Sequence, residues 1–265
     1  AEDLSARLNI STTDDEVGRL TQTLNDMLAR LDDSFQRERQ FTNDASHELR
    51  TPLTAMQAIL GVIREKRRTL AEYEQALDDL AEETDRLRTL VENLMRLARG
   101  EKRSDNLYET INLSTLINDV ADSLRPLAET KGLTLACEIP ETLTMPGDSD
   151  ELIRLFVNLL DNAIKYAEHG KITITAQKNE QDISINIEDT GIGISPEHLP
   201  HIFDRFYRVD ESRAIHGAGL GLAIAQEIVH AHKGTIEAPS ILGQGTTFTL
   251  YLPQNFKSPS NKVYL

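Results

Sequence analysis

The sequence predicts an α-helical hairpin followed by an α/β sandwich. Two patterns lead to this fold class. In residues 20–63, interrupted by one polar stretch, and again in residues 80–98, apolar residues recur at every third or fourth position, which is the period of an α-helix. Beyond residue 106, stretches with this period alternate with short stretches in which every second residue is apolar, as in β-strands. Helices that cover one side of a mixed sheet form an α/β sandwich.

The stretch 20–63 predicts one long helix with an apolar stripe. A basic, polar link over 64–69 leads to a second helix, in which Leu80, Leu87 and Leu94 lie seven residues apart. Two helices cannot bury both stripes, so we expect two hairpins to pair as a homodimeric four-helix bundle. The alternative is that the stripes pack against the C-terminal half of the same chain. Pro52 removes a backbone donor and is expected to kink the first helix.

The C-terminal half predicts alternating helices and strands after a polar hinge over 100–106. The expected helices cover 113–129, 150–167 and 220–232. The expected strands cover 133–139, 171–177, 183–188, 234–238 and 246–252, with a hairpin loop over 178–182.

Composition excludes several classes of protein and partner. The formal net charge of −15 argues against nucleic acid as a partner, because its phosphates would be repelled. The single Cys137 excludes an intrachain disulfide and suits a reducing cytosol. No run approaches the roughly 18 apolar residues that a membrane-spanning helix needs.

His47 is the first candidate for chemistry. On a helix it lies about 200° from Ala45 and Leu49, so its imidazole is expected to face solvent while they face the apolar side. Glu48 is adjacent, and Thr51 lies one turn further on the same face. The alternative is an ordinary surface histidine.

Four residues of the predicted helix 150–167 are candidates for a metal and phosphate site. Asn158 and Asn162 lie four residues apart on one helix face, with Lys165 and Tyr166 close by. Amide oxygens are hard ligands that suit Mg²⁺, which commonly bridges to phosphates. The alternative is a solvated helix face.

A glycine-rich run follows Asp189 at the end of a predicted strand. The Asp189 carboxylate can accept a hydrogen bond from an adenine amino group, and Gly191 and Gly193 allow close approach of the backbone to a base. An ordinary hairpin exit would show the same residues.

A second glycine-rich run opens the predicted helix 220–232, where backbone N–H groups form an anion site. Its spacing is not the dinucleotide fingerprint. Arg208, in a run of aromatic and basic residues, is a further candidate for a phosphate contact, and Thr246 follows a last glycine turn before the final strand. The candidates from the second run are Gly217, Gly219, Leu220 and Gly221.

Together these runs resemble the N, G1, F, G2 and G3 boxes of the histidine kinase catalytic domain, which has the Bergerat (GHKL) ATP-binding fold. The run 41–53 resembles the His-Glu-x-x-Thr-Pro phospho-acceptor box of bacterial two-component sensor histidine kinases. The run 13–27 is similar to the second helix of a HAMP linker. The resemblance spans about 13–253. Two departures are Ala218, where the family often has Thr or Ser, and a short lid between Arg208 and Gly217.

The resemblance implies ATP-dependent autophosphorylation of His47 and transfer of the phosphoryl group to an aspartate of a response regulator. Glu48 would act as general base. Thr51 would orient the water that dephosphorylates the regulator. The alternative is a purely structural role, in which the Thr51 hydroxyl donates to a backbone carbonyl that Pro52 leaves without its donor.

The resemblance also implies ATP and Mg²⁺ as cofactors. Asn158 and Asn162 would hold Mg²⁺, Lys165 and Arg208 would meet phosphates, and Asp189 would bind adenine. Tyr166, the glycines, Leu220 and Thr246 complete the expected nucleotide site.

Four segments follow from the resemblance. We expect a partial HAMP helix and coiled-coil linker over 1–36, a dimerisation and phosphotransfer domain over 37–102, a catalytic domain over 107–254 and a tail over 255–265. The expected partners are a second copy of the chain and the receiver domain of a response regulator, but no nucleic acid. We expect the cytoplasmic part of a bacterial sensor, reaching the inner membrane only through a missing N-terminal region.

Two other functions remain open. One is a different ATPase of the same fold, in the group of gyrase, Hsp90 and MutL. Those proteins carry a water-activating glutamate four residues before the metal-binding asparagine, where this chain has Asn158, so efficient hydrolysis is disfavoured. The other is an inactive signalling scaffold. ATP-dependent labelling of the protein separates the three.

Overall fold

The computed structural model of this chain describes residues 16–99, 109–209 and 217–254. The chain divides into a helical unit, Ala1–Glu92, and a C-terminal unit, Asn93–Leu265. The predicted hinge over 100–106, most of the lid after Arg208, the tail over 255–265 and the start of the run 13–27 lie outside the described residues. In the described part of the chain, no helix is both long enough and apolar enough to span a bilayer.

The predicted helical hairpin is confirmed. Helix α1 covers Glu16–Glu65 and helix α2 covers Leu70–Arg99. α1 continues through Pro52, whose side chain is buried, so the proline does not end the helix. The kink expected there stays a prediction.

A capping box starts α2. The Glu72 carboxylate accepts from the Thr69 N–H at 2.7 Å, and the Glu72 N–H donates to the Thr69 hydroxyl at 3.3 Å. The hydrogen bond from the Thr69 backbone lowers the pKa of Glu72 below its ordinary value. This reciprocal pair satisfies donors that a helix start leaves unpaired, which is why the link, here only residues 66–69, is followed by a helix from Leu70.

The heptad stripe of α2 is half-buried within one chain. Among the described side chains of α2, Ala76, Leu90 and Leu97 are buried, whereas Leu80, Leu87 and Leu94 keep part of their surface in water. On α1, Leu20 is 69% exposed and Leu53 is 48% exposed. The hairpin therefore leaves apolar surface on both helices.

The C-terminal unit contains three helices, α3 (Leu113–Thr130), α4 (Ser149–Tyr166) and α5 (Gly221–Ala231), among its described residues. Its strands are β1 (Glu109–Asn112), β2 (Leu133–Glu138), β3 (Thr144–Gly147), β4 (Gly170–Lys178), β5 (Asp182–Asp189), β6 (Thr235–Glu237), β7 (Ser240–Ile241) and β8 (Gly245–Pro253). A short 3₁₀ helix covers Leu199–His201.

The main sheet is mixed, as the sequence predicts. Its strands run in the order β2-β4-β5-β8-β6, with β7 paired to β8. Only the β2–β4 pair is parallel among the described pairs of this sheet. β1 and β3 form a separate antiparallel pair, and α3, α4 and α5 cover one face of the main sheet. The predicted α/β sandwich is confirmed.

Three short strands were not expected from the sequence. β1 and β3 have four residues each, β3 contains Pro146, and β7 has two residues. Such short segments do not show the alternation that identifies a strand. The longer elements predicted for the C-terminal unit agree with the structure to within a residue or two at each end. The helix predicted over 20–63 covers Glu16–Glu65.

The core lies between the helices and the covered face of the sheet. On β5, Ile183, Ile185 and Ile187 are fully buried and alternate with more exposed residues. This inward row continues to Asp189, which pairs in register with Thr246 of β8. The period of the strands therefore carries a carboxyl group and a hydroxyl group onto the face that elsewhere holds only apolar side chains.

Candidate functional site

His47 and its neighbours occupy the expected faces of α1. His47 and Thr51 are exposed, while Ala45 and Leu49 are half-buried. The Thr51 hydroxyl donates to the carbonyl oxygen of His47 at 3.3 Å. Pro52 leaves the carbonyl of Glu48 without its helical donor, so the carbonyl that Thr51 contacts is not the one that Pro52 frees.

A pocket in the C-terminal unit brings together side chains from α4, β5 and β8 with the segments that join them. It encloses a cavity of ≈ 100 Å³. Of the residues predicted for the nucleotide site, it is lined by Asn162, Tyr166, Asp189, Gly193, Arg208 and Thr246.

Asp189 is a buried carboxyl group held in place by the backbone. Its Oδ1 accepts from the N–H of Gly191 at 2.8 Å and from the N–H of Thr246 at 3.3 Å. Burial raises the pKa of Asp189 above its ordinary value, and these two hydrogen bonds act in the opposite direction. Both bonds go to Oδ1, which leaves Oδ2 as the oxygen that can accept from a ligand.

The glycines after Asp189 are required by close backbone contacts. A Cβ on Gly191 would lie 2.5 Å from the carbonyl oxygen of Tyr166. Gly193 has a φ of +65°, and a Cβ there would lie 2.1 Å from the carbonyl oxygen of Ile241. The glycines therefore let this loop pack tightly between α4 and β7, which explains their position in the sequence.

On the polar face of α4, Asn158 lies close to the first residue of α5. The Asn158 amide nitrogen is buried and has no hydrogen-bond partner among the residues that the structure describes. Its Oδ1 would lie 3.7 Å from a Cβ placed on Gly221, the first residue of α5. An unpartnered buried amide costs free energy unless a ligand satisfies it, so Asn158 fits a site that takes phosphate or a hydrated cation. Lys165 instead forms an ion pair with Asp161 at 2.5 Å.

The segments on either side of the lid are fastened together. The Phe206 N–H donates to the carbonyl oxygen of Gly219 at 2.9 Å. Phe206 has a φ of 64°, which is uncommon for a residue with a side chain, and a Cβ on Gly219 would lie 2.6 Å from the Phe206 carbonyl carbon. This contact explains why Gly219 must be glycine.

The remaining glycines of this run are placed differently. Within the described residues, a Cβ on Gly217 would meet nothing within 4 Å, and Leu220 is buried. The structure therefore brings Asn158 and Gly221 together, whereas no described residue makes a close contact with the Cβ position of Gly217.

Several residues of the pocket were not singled out from the sequence. Tyr207 lines the pocket, and its hydroxyl lies 2.7 Å from Nδ1 of His198. Ser240 connects the loop after Asp189 to Thr246. Tyr207 belongs to the aromatic and basic run that ends at Arg208, whose aromatics the sequence marks as anchors for a lid. Ser240 carries no sequence signal of its own, because its role depends on contacts between distant segments. The apolar lining residues missed by the sequence analysis are Ile192, Ile194, Ile202, Val209, Leu222 and Phe248.

Family comparisons agree with this arrangement. The family described as "Histidine kinase-, DNA gyrase B-, and HSP90-like ATPase" matches residues 147–255. The "His Kinase A (phospho-acceptor) domain" matches residues 37–103, and the "HAMP domain" matches residues 1–33. The chain belongs to the two-component sensor histidine kinases.

Named relatives of this histidine kinase chain include the sensor histidine kinase CusS of Escherichia coli. It is 35% identical over 259 residues, which are 96% of this chain and 53% of CusS. The chain thus spans about half the length of the curated relatives it matches.

Two solved structures, of the histidine kinase AdeS and of ShkA, are similar to this chain in fold. Acinetobacter baumannii AdeS has 27% sequence identity and a TM-score of 0.65, covering 79% of this chain and 98% of that chain. Full-length ShkA in complex with AMPPNP has 26% identity and a TM-score of 0.63, covering 83% of this chain and 46% of that chain.

Proposed function

We propose that this chain uses ATP to phosphorylate His47 and then passes the phosphoryl group to an aspartate of a response regulator. The observation that carries the proposal is a pocket lined by the backbone-held carboxylate of Asp189 and by Asn162 and Arg208, in a chain that also exposes His47 on a helical hairpin. Membership of a family of histidine kinase-like ATPases supports the nucleotide part. ShkA, with AMPPNP bound, is a relative in which a nucleotide analogue has been seen.

The residues of α4 fit a magnesium nucleotide. The side-chain oxygens of Asn158 and of Asn162, which lines the pocket, would hold Mg²⁺. The buried Asn158 Nδ2, for which the described residues offer no partner, could donate to a phosphate oxygen or to a water of the ion. When bound, the ion neutralises charge on the phosphates of ATP. Arg208, which lines the pocket, would contact the phosphates. Lys165, which precedes the pocket residue Tyr166 on α4, would do so as well. Lys165 must exchange its ion pair with Asp161 for this contact.

In the proposed reaction, the phosphoryl group moves directly from ATP to His47, and Glu48 takes up the proton that is released. An imidazole nitrogen of His47 forms a bond to the γ-phosphorus as the bond from that phosphorus to the bridging oxygen breaks, and ADP leaves. The adjacent Glu48 accepts the proton from the other ring nitrogen. Positioning and charge neutralisation supply most of the catalysis in such reactions.

Labelling with γ-³²P-ATP tests this proposal. The wild-type protein should incorporate label that is stable in base and lost in acid, as a phosphoramidate is. His47→Gln should abolish labelling and keep ADP binding, while His169→Gln, at another exposed histidine, should retain labelling. Acid-stable label, or full labelling of His47→Gln, would refute the assignment.

The same proposal distinguishes this chain from a hydrolase of the same fold. A hydrolase needs a carboxylate that activates water, whereas Asn158 offers an amide. We therefore expect ATP turnover to be slow in the absence of a receiver domain. Rapid release of phosphate by His47→Gln would favour the hydrolase instead, and an absence of labelling with intact ATP binding would favour a scaffold.

The proposed partners are a second copy of the chain and a response regulator receiver domain. Dimerisation is supported by the match to the phospho-acceptor domain and by apolar surface left on α1 and α2. We propose that Thr51 promotes dephosphorylation of the regulator. The match to the HAMP domain supports a role as the cytoplasmic part of a membrane-anchored sensor.

A further inference from the structure

Ser240 lies where three backbone segments meet behind the pocket. It is the first residue of β7 and pairs in register with Thr246 of β8. Its hydroxyl oxygen lies 2.8 Å from the Ile194 nitrogen, 2.9 Å from the Gly245 carbonyl oxygen and 2.9 Å from Thr246 Oγ1. The proposed phosphoryl transfer assigns no task to this hydroxyl.

Hydrogen-bond counting fixes the direction of each bond at Ser240. A serine hydroxyl has one proton to donate and two lone pairs to accept with. The Ile194 N–H can only donate and the Gly245 carbonyl can only accept, so they use one lone pair and the proton. The second lone pair faces Thr246, so the Thr246 hydroxyl must donate its proton to Ser240.

This direction determines what Thr246 offers to a ligand. Thr246 lines the pocket, and its side chain is almost fully buried. With its only proton directed to Ser240, Thr246 Oγ1 presents lone pairs to the cavity. The hydroxyl of Thr246 therefore acts as an acceptor there, although a free hydroxyl could act as donor or acceptor.

Asp189, next to Thr246, also offers only hydrogen-bond acceptors to a ligand. Asp189 and Thr246 are register partners on neighbouring strands, and both line the pocket. A carboxylate can only accept, and Asp189 Oδ1 is already used by two backbone N–H groups. Two adjacent positions of the pocket therefore call for a donor from the ligand. An amino group meets this need, whereas a ring carbonyl oxygen would face other oxygens.

We propose that Ser240 is a specificity-determining positioning residue: by orienting the Thr246 hydroxyl, it makes the pocket select 6-aminopurine nucleotides over 6-oxopurine nucleotides. The proposal rests on the proposed nucleotide-binding function of this pocket. Ser240 need not touch the nucleotide, since it acts through Thr246. Without Ser240, the Thr246 hydroxyl can rotate and donate to a 6-oxo group.

Calorimetric binding of ADP and inosine diphosphate to the whole chain tests this role. The wild type should bind ADP much more tightly than inosine diphosphate. In Ser240→Ala, the ratio of the two dissociation constants should fall by about tenfold or more, which corresponds to about 1.4 kcal/mol. Ser240→Cys should act in the same direction, because a thiol is a weak donor and acceptor. Ser240→Thr, which restores a hydroxyl, should return the ratio towards the wild-type value.

Matched variants separate selectivity from a general loosening of the pocket. Ser195→Ala removes a nearby hydroxyl whose contact is with the exposed Glu197, and it should leave the ratio unchanged. Thr246→Val should reduce the ratio, and adding Ser240→Ala to it should cause no further change. Circular dichroism melts confirm that each variant is folded.

Two different failures are distinguishable. If Ser240→Ala and Ser240→Cys weaken both nucleotides by the same factor, Ser240 only supports the loop after Asp189 and the proposal is overturned. An unchanged ratio in Thr246→Val overturns it as well. If Asp189→Asn leaves ADP affinity unchanged, the pocket is not the adenine site, and the nucleotide assignment falls together with the role of Ser240.

Discussion

Asp189 combines a cost to stability with a proposed role in binding. Burial raises the pKa of this carboxyl, which means that the folded state disfavours its charged form. The penalty on stability is present above the raised pKa and disappears as the pH falls through it. Asn at this position keeps an oxygen that can accept from Gly191 and Thr246 without the buried charge.

Asp189→Asn should therefore weaken ADP binding without destabilising the free protein at neutral pH. The amide can present a donor to the adenine amino group where the carboxylate presents an acceptor. Calorimetry should show a large loss of ADP affinity, and thermal melts should show equal or greater stability than the wild type. The stability difference should shrink as the pH is lowered through the raised pKa of Asp189.

A second carboxyl on the same strand provides the control. Asp182 lies at the other end of β5 and accepts from the Asn179 side chain at 2.6 Å. Asp182→Asn should leave ADP affinity unchanged. Equal loss of affinity in both variants would show that the effect comes from disturbance of β5 and not from the pocket.

A single substitution at Thr51 can separate dephosphorylation of the regulator from autophosphorylation of His47. Its hydroxyl is exposed, and its bond to the His47 carbonyl is long at 3.3 Å, so little is lost when it turns to a water. Thr51→Ala should keep most labelling of His47 and slow the loss of label from a phosphorylated receiver domain. Thr54→Ala, which removes a similar hydroxyl bonded at 2.8 Å to the Arg50 carbonyl, is the control. Equal slowing of both reactions by Thr51→Ala would indicate a structural role.

At the level of elements, a buried ion pair fastens the end of α2 to the start of α4 within the C-terminal unit. Arg96 Nη1 donates to Glu151 Oε1 at 2.7 Å, and Nη2 also contacts the second carboxylate oxygen. The side chains are only 14% and 8% exposed. Burial lowers the pKa of Arg96, and the charges of Glu227 and Asp148 act in the opposite direction. Glu151 also belongs to the first turn of α4, where Asp148 caps its N–H.

Removing one partner of this pair should be costly. Arg96→Ala takes the guanidinium away from a buried carboxylate, and such changes cost about 3–5 kcal/mol. The double variant Arg96→Met with Glu151→Met should be closer to the wild type, because it buries no charge. Denaturant unfolding of the variants measures both effects.

An exposed pair on the same helix gives the comparison. Arg88 contacts Asp85 at 3.0 Å, and both side chains are 68% exposed. Arg88→Ala should cost about 0–1 kcal/mol. If Arg96→Ala and Arg88→Ala have the same effect on unfolding, the pair at the start of α4 is not a buried tether.

The lengths of the helices and strands explain why some residues of the site could be predicted from the sequence. Asp189, Thr246 and Asn162 sit on long elements whose periodicity is visible in the sequence, so their faces follow from counting residues. Ser240 lies on a two-residue strand, and its role depends on contacts with Ile194 and Gly245. Such contacts arise from the register of strands that are distant in sequence, which no local pattern records.

The partner of Lys165 is another feature that the spacing of residues along α4 does not determine. Lys165 can reach Asp161 one helical turn back or a phosphate in front of α4. The sequence allows both contacts, and the structure shows the one with Asp161. Local periodicity thus predicts which face a residue occupies but not which of two partners it contacts.

At the level of the whole molecule, the apolar surface of the helical hairpin requires cover. Along α1, Leu24, Met27, Leu31 and Phe35 are 36%, 50%, 43% and 48% exposed in a single chain. Large exposed apolar stripes of this kind mark association surfaces. Leu87, in the centre of the α2 stripe, is only half-buried by its own chain. A second hairpin packed alongside would cover both stripes as a four-helix bundle.

Leu87→Asp should therefore convert a dimer into monomers. Each dimer would carry two carboxylates in an apolar seam, and an uncompensated buried charge costs several kilocalories per mole. Thr89→Asp places the same charge on the exposed side of α2 and should leave the dimer intact. Light scattering at micromolar concentration gives the mass of each variant, and calorimetric ADP binding checks that the C-terminal unit stays folded. A wild-type protein that is monomeric under these conditions would contradict the four-helix bundle, and the stripes would then have to be covered within one chain.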